Sequence, residues 1–492
     1  MKSKITKNLF SLTFGQGFAF ILNFIAILLA ARFLGVENFG SFTTLLAVIS
    51  IISKFIDFGL VPIVFREQSK DSNNYLILNN SISIRIILSI LFLIVLNVIL
   101  LILDYNNYEI ILANALYANI FLSQRMANFR ELLSTPFKVN LSMHYPMAFS
   151  ILENLLLVIL VLFTPFFDNK LTYFITIYIA SCLPSFILML YYLRKKVNFN
   201  FHFDLSAYKW LIKESIPIAG FVILMVIFQQ IDILILKEVK GVYDSGIFAA
   251  ATRITLPLNI IPSTIITTVF PIIVSNININ KDSKNKIIVK LVYKILFVSS
   301  FIVFIFYSFK SIEFTKLLFG TEYLDSALPT VIMLLSQVIL FFNFFSLDLF
   351  TANNLQKWNF IYAIILVVTN IIFAVYLIPH FGFNGAAFAK LIVSGISLIF
   401  IITILNRKSI YYSLFDSRLI IWTILISLFL MLLSFLNIFI YFVMGSIVIL
   451  ILTLLVPFWS NAEIKFILKT INQVKLEKFL KNNLYTIFNK NV

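Results

Sequence analysis

Residues 9–60 read LFSLTFGQGFAFILNFIAILLAARFLGVENFGSFTTLLAVISIISKFIDFGL, two apolar runs joined by the turn Gly35-Val36-Glu37-Asn38-Phe39-Gly40. The first run, Leu9 to Ala31, follows Lys2, Lys4 and Lys7 and is longer than the roughly 7–15 residue core of a cleavable signal peptide. It reads as an uncleaved first helix. Crossing about 30 Å of hydrocarbon takes about 20 mostly apolar residues, so each run is long enough to span. The pattern continues along most of the chain, which is 61% hydrophobic and 12% charged, with mean hydropathy +0.99. A soluble domain is roughly 45–50% apolar and about 25% charged. Nearly all of this protein belongs in a bilayer.

Windows of about 18–25 apolar residues give fourteen spans, starting near Leu9, Phe39, Ser83, Ile110, Tyr145, Leu171, Ile212, Ile247, Ile288, Ala327, Asn359, Gly385, Leu419 and Asn437. The last boundary, near Leu436 to Tyr441, is set by length alone. A cytoplasmic N-terminus puts 29 of the 38 Lys and Arg residues in cytoplasmic segments and span ends, and six in external loops. That asymmetry is the positive-inside bias. It also explains the net charge of +16 better than nucleic-acid binding does. After Trp459, Ile464, Ile467, Leu468 and Ile471 alternate with Lys465 and Lys469, the pattern of an interfacial helix or of a basic tail kept for topology.

Other chemistry is excluded or unsupported. Cys182 is the only cysteine, so there is no disulfide framework, and His144, His202 and His380 lack metal-ligand spacing. No Gly-Lys dipeptide occurs, so there is no phosphate-binding loop for an ATP-driven pump. Energy must come from ion gradients, the substrate gradient or a partner. No cofactor is expected, and a proton or sodium gradient is the available drive.

An internal duplication points to transport. Gly35-Val36 with Gly40, and Gly241-Val242 with Gly246, repeat at an offset of 206 residues between long apolar runs. The string Ala31-Arg32-Phe33-Leu34-Gly35 with Phe39-Gly40, then Asp57-Phe58-Gly59-Leu60 and Arg66-Glu67, resembles the opening of the Wzx-type polysaccharide-biosynthesis flippases, relatives of the MATE exporters in the MOP superfamily. Asp232, the Tyr243/Gly246 turn, Arg253 and Pro257, Pro262 and Pro271 resemble that family's seventh and eighth helices, and Pro379 to Ala387 its turn before the twelfth.

The resemblance implies an all-α polytopic bundle of two pseudo-symmetric six-helix lobes with two peripheral helices. The expected divisions are 1–200, 201–406, a helix pair in 407–460 and a basic amphipathic tail in 461–492. It implies alternating access in the bacterial inner membrane, with both termini cytoplasmic. The implied cargo is an undecaprenyl-pyrophosphate-linked oligosaccharide for O-antigen, lipopolysaccharide, capsule or exopolysaccharide assembly, met by cavity cations. Polysaccharide polymerase and chain-length regulator proteins are the implied partners.

Charges inside spans cost roughly 2.5–3.5 kcal/mol on insertion scales, so they normally face protein or water. Arg253 has no acidic residue within one turn of its helix and is the first candidate for substrate contact, because a guanidinium can pair with two phosphate oxygens; the bland alternative is an interfacial arginine. Lys54 is either a cavity cation or the partner of Asp57 three residues on. Lys390 is a weaker cavity cation. Asp232 reads either as a titrating or cation-binding carboxylate or as the partner of Arg253, and Glu153 and Asp348 as isolated carboxylates suited to ion coupling. Two other classes compete. A membrane polymerase or ligase would carry a long external catalytic loop, whereas the longest here runs only from Lys310 to Ser326. A MATE-like exporter of cationic small molecules would need a cavity with unpaired Asp232, Glu153 and Asp348.

Overall fold

In a computed structural model, Gly35 has φ 76° and ψ 172°, and Gly241 has φ 94° and ψ −177°. The repeated sequence motif is therefore a repeated backbone state, in the left-handed half of the map that glycine enters without penalty. The structure describes residues 2–71, 75–195, 204–278, 282–408, 417–456, 458–460 and 463. Among them there is no strand. With every backbone donor and acceptor satisfied along the helix axis, helices are the form such apolar runs can take in lipid.

Ten described helices are long and apolar enough to span a membrane. Two of them are bent pairs, broken at Gly35 and at Gly382 (φ 53°). With Asn107–Tyr117 and its continuation Asn119–Leu122, and the shorter Arg418–Leu433, the described residues hold the fourteen helices expected. They are numbered here in chain order. The first two are 2–34 and 36–57, the fourth is 107–122, the sixth Lys170–Arg194, the seventh Leu205–Lys240, the eighth starts at Val242, and the eleventh and twelfth are 357–381 and 383–407. The turn before the fourteenth helix falls where length placed it, with Asn437 capping Ile438–Leu455 through a bond from the Phe439 N–H.

The chain divides into two compact units. The first holds residues 1–256, 315–333 and 359–394. Its centre is a backbone-on-backbone crossing of the two repeated turns. A Cβ on Gly40 would lie 2.0 Å from the Val242 carbonyl oxygen, and one on Gly246 would lie 2.2 Å from that of Val36. The contact is reciprocal, as a pseudo-twofold requires. Small residues at helix interfaces allow this approach where lipid gives no hydrophobic drive for association. Ala26, Ala30 and Ala31 continue the buried face, Tyr323 Oη donates to the Ala31 carbonyl at 2.9 Å, and Arg32 donates to the Lys316, Leu317 and Leu318 carbonyls that end the helix Ser311–Phe319.

The second unit holds residues 257–314, 334–358 and the described residues from 395 on. Trp422 is fully buried among Phe301, Phe458 and neighbours, and Tyr441 Oη reaches the Phe306 carbonyl at 2.9 Å. Lys294 is buried against Glu463 at 3.1 Å and the Phe458 carbonyl at 2.7 Å. The amphipathic segment expected after Trp459 falls, apart from Ser460 and Glu463, outside the described residues, as does His202.

The fourth helix, expected to start near Ile110, ends in an irregular stretch. It stops at Leu122, the chain runs irregularly through 123–128 with Ala127 at φ 47°, and it resumes as Phe129–Leu133 and Thr135–Val139. Freed backbone groups inside a membrane protein need partners. The Gln124 N–H finds Glu153 at 3.3 Å, and the Asn128 carbonyl accepts from Arg85 at 2.6 Å.

The glycine crossing gives a direct test. Gly40→Ala pushes a methyl into fixed backbone and should cost about 1–3 kcal/mol or more, as overpacking does, lowering the thermal unfolding midpoint of the detergent-solubilised protein. Gly17→Ala, where nothing lies within 4 Å of the added Cβ, should leave that midpoint unchanged or raised.

Candidate functional site

Inside the first unit, beneath the glycine crossing, six helices enclose a cavity of about 160 Å³. The first contributes Asn23, the second Thr43, Leu46 and Ser50, and the unwound end of the fourth Arg125 and Met126. The sixth brings Tyr178, the seventh Gln229, Gln230 and Ile233, and the eighth Thr252, Arg253 and Leu256. The wall is rich in amides and hydroxyls and carries two guanidinium groups. Among the described residues, no carboxylate side chain lines it.

Arg253 sits in the last turn of the helix Val242–Thr255, just before the 3₁₀ turn Leu256–Asn259 that contains Pro257. A proline cannot donate to the preceding turn, so the helix breaks there and its end turns into the cavity wall. Among the described residues Arg253 has no ion-pair partner, and its Nε is buried without an acceptor. A guanidinium in that condition is costly unless water or an anion completes it.

Arg125 is a cavity residue that sequence reasoning missed, because it was counted with the topogenic charges at a span end. Its Nε donates to Asn154 Oδ1 at 3.1 Å. One terminal nitrogen donates to the Tyr178 carbonyl at 3.1 Å and the Cys182 sulfur at 3.7 Å, the other to the Glu153 carbonyl at 3.1 Å and Ser181 Oγ at 3.0 Å. Its donors are all engaged within the protein, and its Cζ stands 4.7 Å from the centre of the Tyr178 ring. Arg125 therefore acts on the cavity through its charge and by holding Tyr178, whereas Arg253 has a donor to offer.

Glu153, expected to be isolated, is committed. It pairs with Arg130 at 2.7 Å and Arg125 at 3.5 Å and accepts from Ser123 Oγ at 2.7 Å, fully buried throughout. One carboxylate thus serves two guanidiniums, leaving this wall net positive. Asp57 pairs with fully buried Arg85 rather than with Lys54, whose Nζ lies 3.5 Å from the Ala127 carbonyl and outside the cavity lining. Arg85 also bonds Asn128, whose side chain reaches the Ser53 carbonyl at 2.7 Å, so these charges brace the unwound segment.

Asp232 is partnered by Lys390 at 2.6 Å, not by Arg253, and accepts from Asn370 Nδ2 at 3.0 Å. Lys390 also reaches the Phe228 carbonyl and stands 3.7 Å from the centre of the Phe228 ring. The polar cluster around Lys390 is supplied by the seventh and eleventh helices rather than by its own. Neither Asp232 nor Lys390 lines the cavity. Asp348 lies, half-buried, in the second unit. No group of three or more His, Cys, Asp or Glu residues able to hold a metal occurs among the described residues.

The arrangement separates structural charge from available charge. Glu153→Gln strips two buried guanidiniums of their partner and should cost about 3–5 kcal/mol, as breaking buried pairs does. Arg253→Gln removes a charge with no partner and should leave the unfolding midpoint within about 1 °C of wild type or above it. Thermal unfolding in detergent reads both.

Among solved structures, the fold is similar to the lipid II flippase MurJ in an inward closed conformation, with 15% identity, a TM-score of 0.68, and 90% of this chain and 97% of that one covered. It is also similar to an inward-facing multidrug resistance MATE family transporter of the MOP superfamily (12% identity, TM-score 0.60, 80% and 96% covered) and to a MOP superfamily transporter from Pyrococcus furiosus described as having reversed binding-pocket polarity (14%, 0.52, 82% and 96%). No curated protein matches the sequence. The fold class is thus that of the MurJ and MATE transporters, a multi-pass membrane bundle. The family of polysaccharide biosynthesis proteins matches over residues 5–277, more than half of the chain, and the protein belongs to that family.

Proposed function

We propose that this protein flips an undecaprenyl-pyrophosphate-linked oligosaccharide from the cytoplasmic to the outer leaflet of the bacterial inner membrane, for assembly of O-antigen, capsule or exopolysaccharide. The observation that carries this reading is the charge of the cavity. Among the described residues Arg253 is unpaired, Arg125 and Arg130 share one carboxylate, and no carboxylate lines the wall. A diphosphate supplies the missing negative charge, and it can accept two parallel bonds from one guanidinium. Membership of a polysaccharide biosynthesis family supports the glycan-bearing cargo.

In this reading the lobes 1–200 and 201–406 alternate access around the cavity, hinged in part at the prolines of the seventh and eighth helices. The helix pair in 407–460 is peripheral, the tail lies on the cytoplasmic leaflet, and both termini are cytoplasmic. A proton or sodium gradient is the proposed drive, and polysaccharide polymerase and chain-length regulator proteins are the proposed partners. The competing reading, export of cationic small molecules, needs free carboxylates in the cavity. Asp232 and Glu153 are both bound to cations, which disfavours it.

Arg253→Ala should cut surface glycan at least tenfold in cells that depend on this protein, with membrane abundance near normal on immunoblots, and Arg253→Lys should restore part of the loss. Wild-type export by Arg253→Ala would remove the residue from the transport site and, with it, the main support for an anionic cargo.

A further inference from the structure

We infer that a pocket in the second unit, where the chain leaves its last membrane helix, binds an anionic glycerophospholipid, with the phosphate on Lys286 and Lys290 and a head-group hydroxyl on Glu463. The inference goes beyond the flippase reading and does not rest on it. The ninth helix, Asp282–Ser308, carries Lys286, Lys290 and Lys294 at four-residue steps, which puts them on one face. Lys294 is committed inside the protein. Only 1% exposed, it donates to the Phe458 carbonyl and to one oxygen of Glu463, which is equally buried. That oxygen, Oε2, also accepts from the Ser460 N–H at 2.7 Å, and the Glu463 N–H donates to Ser460 Oγ at 3.3 Å. The chain just after the helix Ile438–Leu455 is thereby fixed against the ninth helix.

Beside this lock, Lys286, Ile287, Lys290, Ser460 and Glu463 line a pocket of about 280 Å³, against roughly 10–15 Å³ for one water on the same measure. Two groups in it call for a ligand. Half-buried Lys290 has no carboxylate partner among the described residues, since Glu463 pairs with Lys294. Glu463 Oε1 is buried with no donor among them. Both oxygens of a carboxylate accept, so turning the group over changes nothing and a donor must come from outside. The ligand therefore joins an anion to a hydrogen-bond donor. A phosphodiester supplies the anion and has no proton of its own, so the donor belongs to the group esterified to it. An ethanolamine head would bring one more ammonium group among the lysines, whereas a glycerol head brings neutral hydroxyls. The place agrees with a lipid source: the pocket lies at the ends of two membrane helices, where phospholipid phosphates sit. The chain beyond Glu463 adds six lysines and one acidic residue, so it does not supply the anion.

The test uses the full chain in detergent. Its thermal unfolding midpoint is read with added phosphatidylglycerol, phosphatidylmethanol, phosphatidylethanolamine or inorganic phosphate, because a ligand of the native state raises the midpoint. Phosphatidylmethanol keeps the charge of phosphatidylglycerol and lacks the head-group donors. Phosphatidylglycerol should raise the midpoint by about 4 °C or more, and each other probe by less than half as much. Lys290→Gln should lose at least half of that rise, with its lipid-free midpoint within about 1 °C of wild type, and Lys290→Arg should keep the rise. A variant with Lys469→Gln, Lys475→Gln and Lys478→Gln should also keep it, which separates the pocket from general attraction between a basic segment and anionic lipid. Lys286→Gln takes the place of Lys290→Gln if the latter is not recovered folded. The inference is overturned if the pocket variant keeps the full rise, if the three tail substitutions abolish it, or if phosphatidylmethanol, phosphatidylethanolamine or inorganic phosphate matches phosphatidylglycerol.

Discussion

Gly40 and Gly246 press backbone against backbone, and much of the first unit follows from that contact. In lipid, helices gain little by hiding apolar side chains from one another, so close approach and dispersion must hold them. Here the approach is so close that a single methyl would collide with the Val242 or Val36 carbonyl oxygen. The same two turns place the starts of the second and eighth helices side by side. Those helices then present Thr43 and Ser50 on one, and Thr252 and Arg253 on the other, to a common space. A tight crossing above thus defines a polar cavity below.

The cavity's charge depends on where the other intramembrane charges go. Among the described residues of the first unit, buried carboxylates are held by cations in three separate clusters: Asp57 by Arg85, Glu153 by Arg130 and Arg125, and Asp232 by Lys390. Each cluster ties distant parts of the chain together, and none leaves a free carboxylate facing the cavity. Such pairs add little net stability over an apolar core, but they are expensive to break. Their consequence here is selective. Negative charge is consumed in the framework, and positive charge is left over at the site.

Much of the fold is legible in the sequence because apolar length, glycine turns and basic loops each report one physical demand of the bilayer. The Gly35 and Gly241 turns were matched from six residues each, and the structure gives them the same backbone state. The irregular stretch that follows the fourth helix was not legible. Leu122 to Asn128 contains neither glycine nor proline, and its unwinding is sustained by Glu153, Arg85 and Ser53 from elsewhere in the chain. The site was legible in part. Arg253 stood out because no acid lies near it on its own helix, while Arg125 was hidden among charges that also serve topology. Pairings such as Asp232 with Lys390 span 158 positions, and spacing along one helix cannot reveal them.

The central claim is that this cavity carries a lipid-linked glycan across the membrane. The most direct measurement follows the sidedness of lipid-linked oligosaccharides in cells depleted of this protein, with a sugar-binding probe added to spheroplasts before and after permeabilisation. The account predicts intermediates that accumulate and become detectable only after permeabilisation. Intermediates that accumulate already exposed on the outer face would contradict it and place the missing step in polymerisation or ligation.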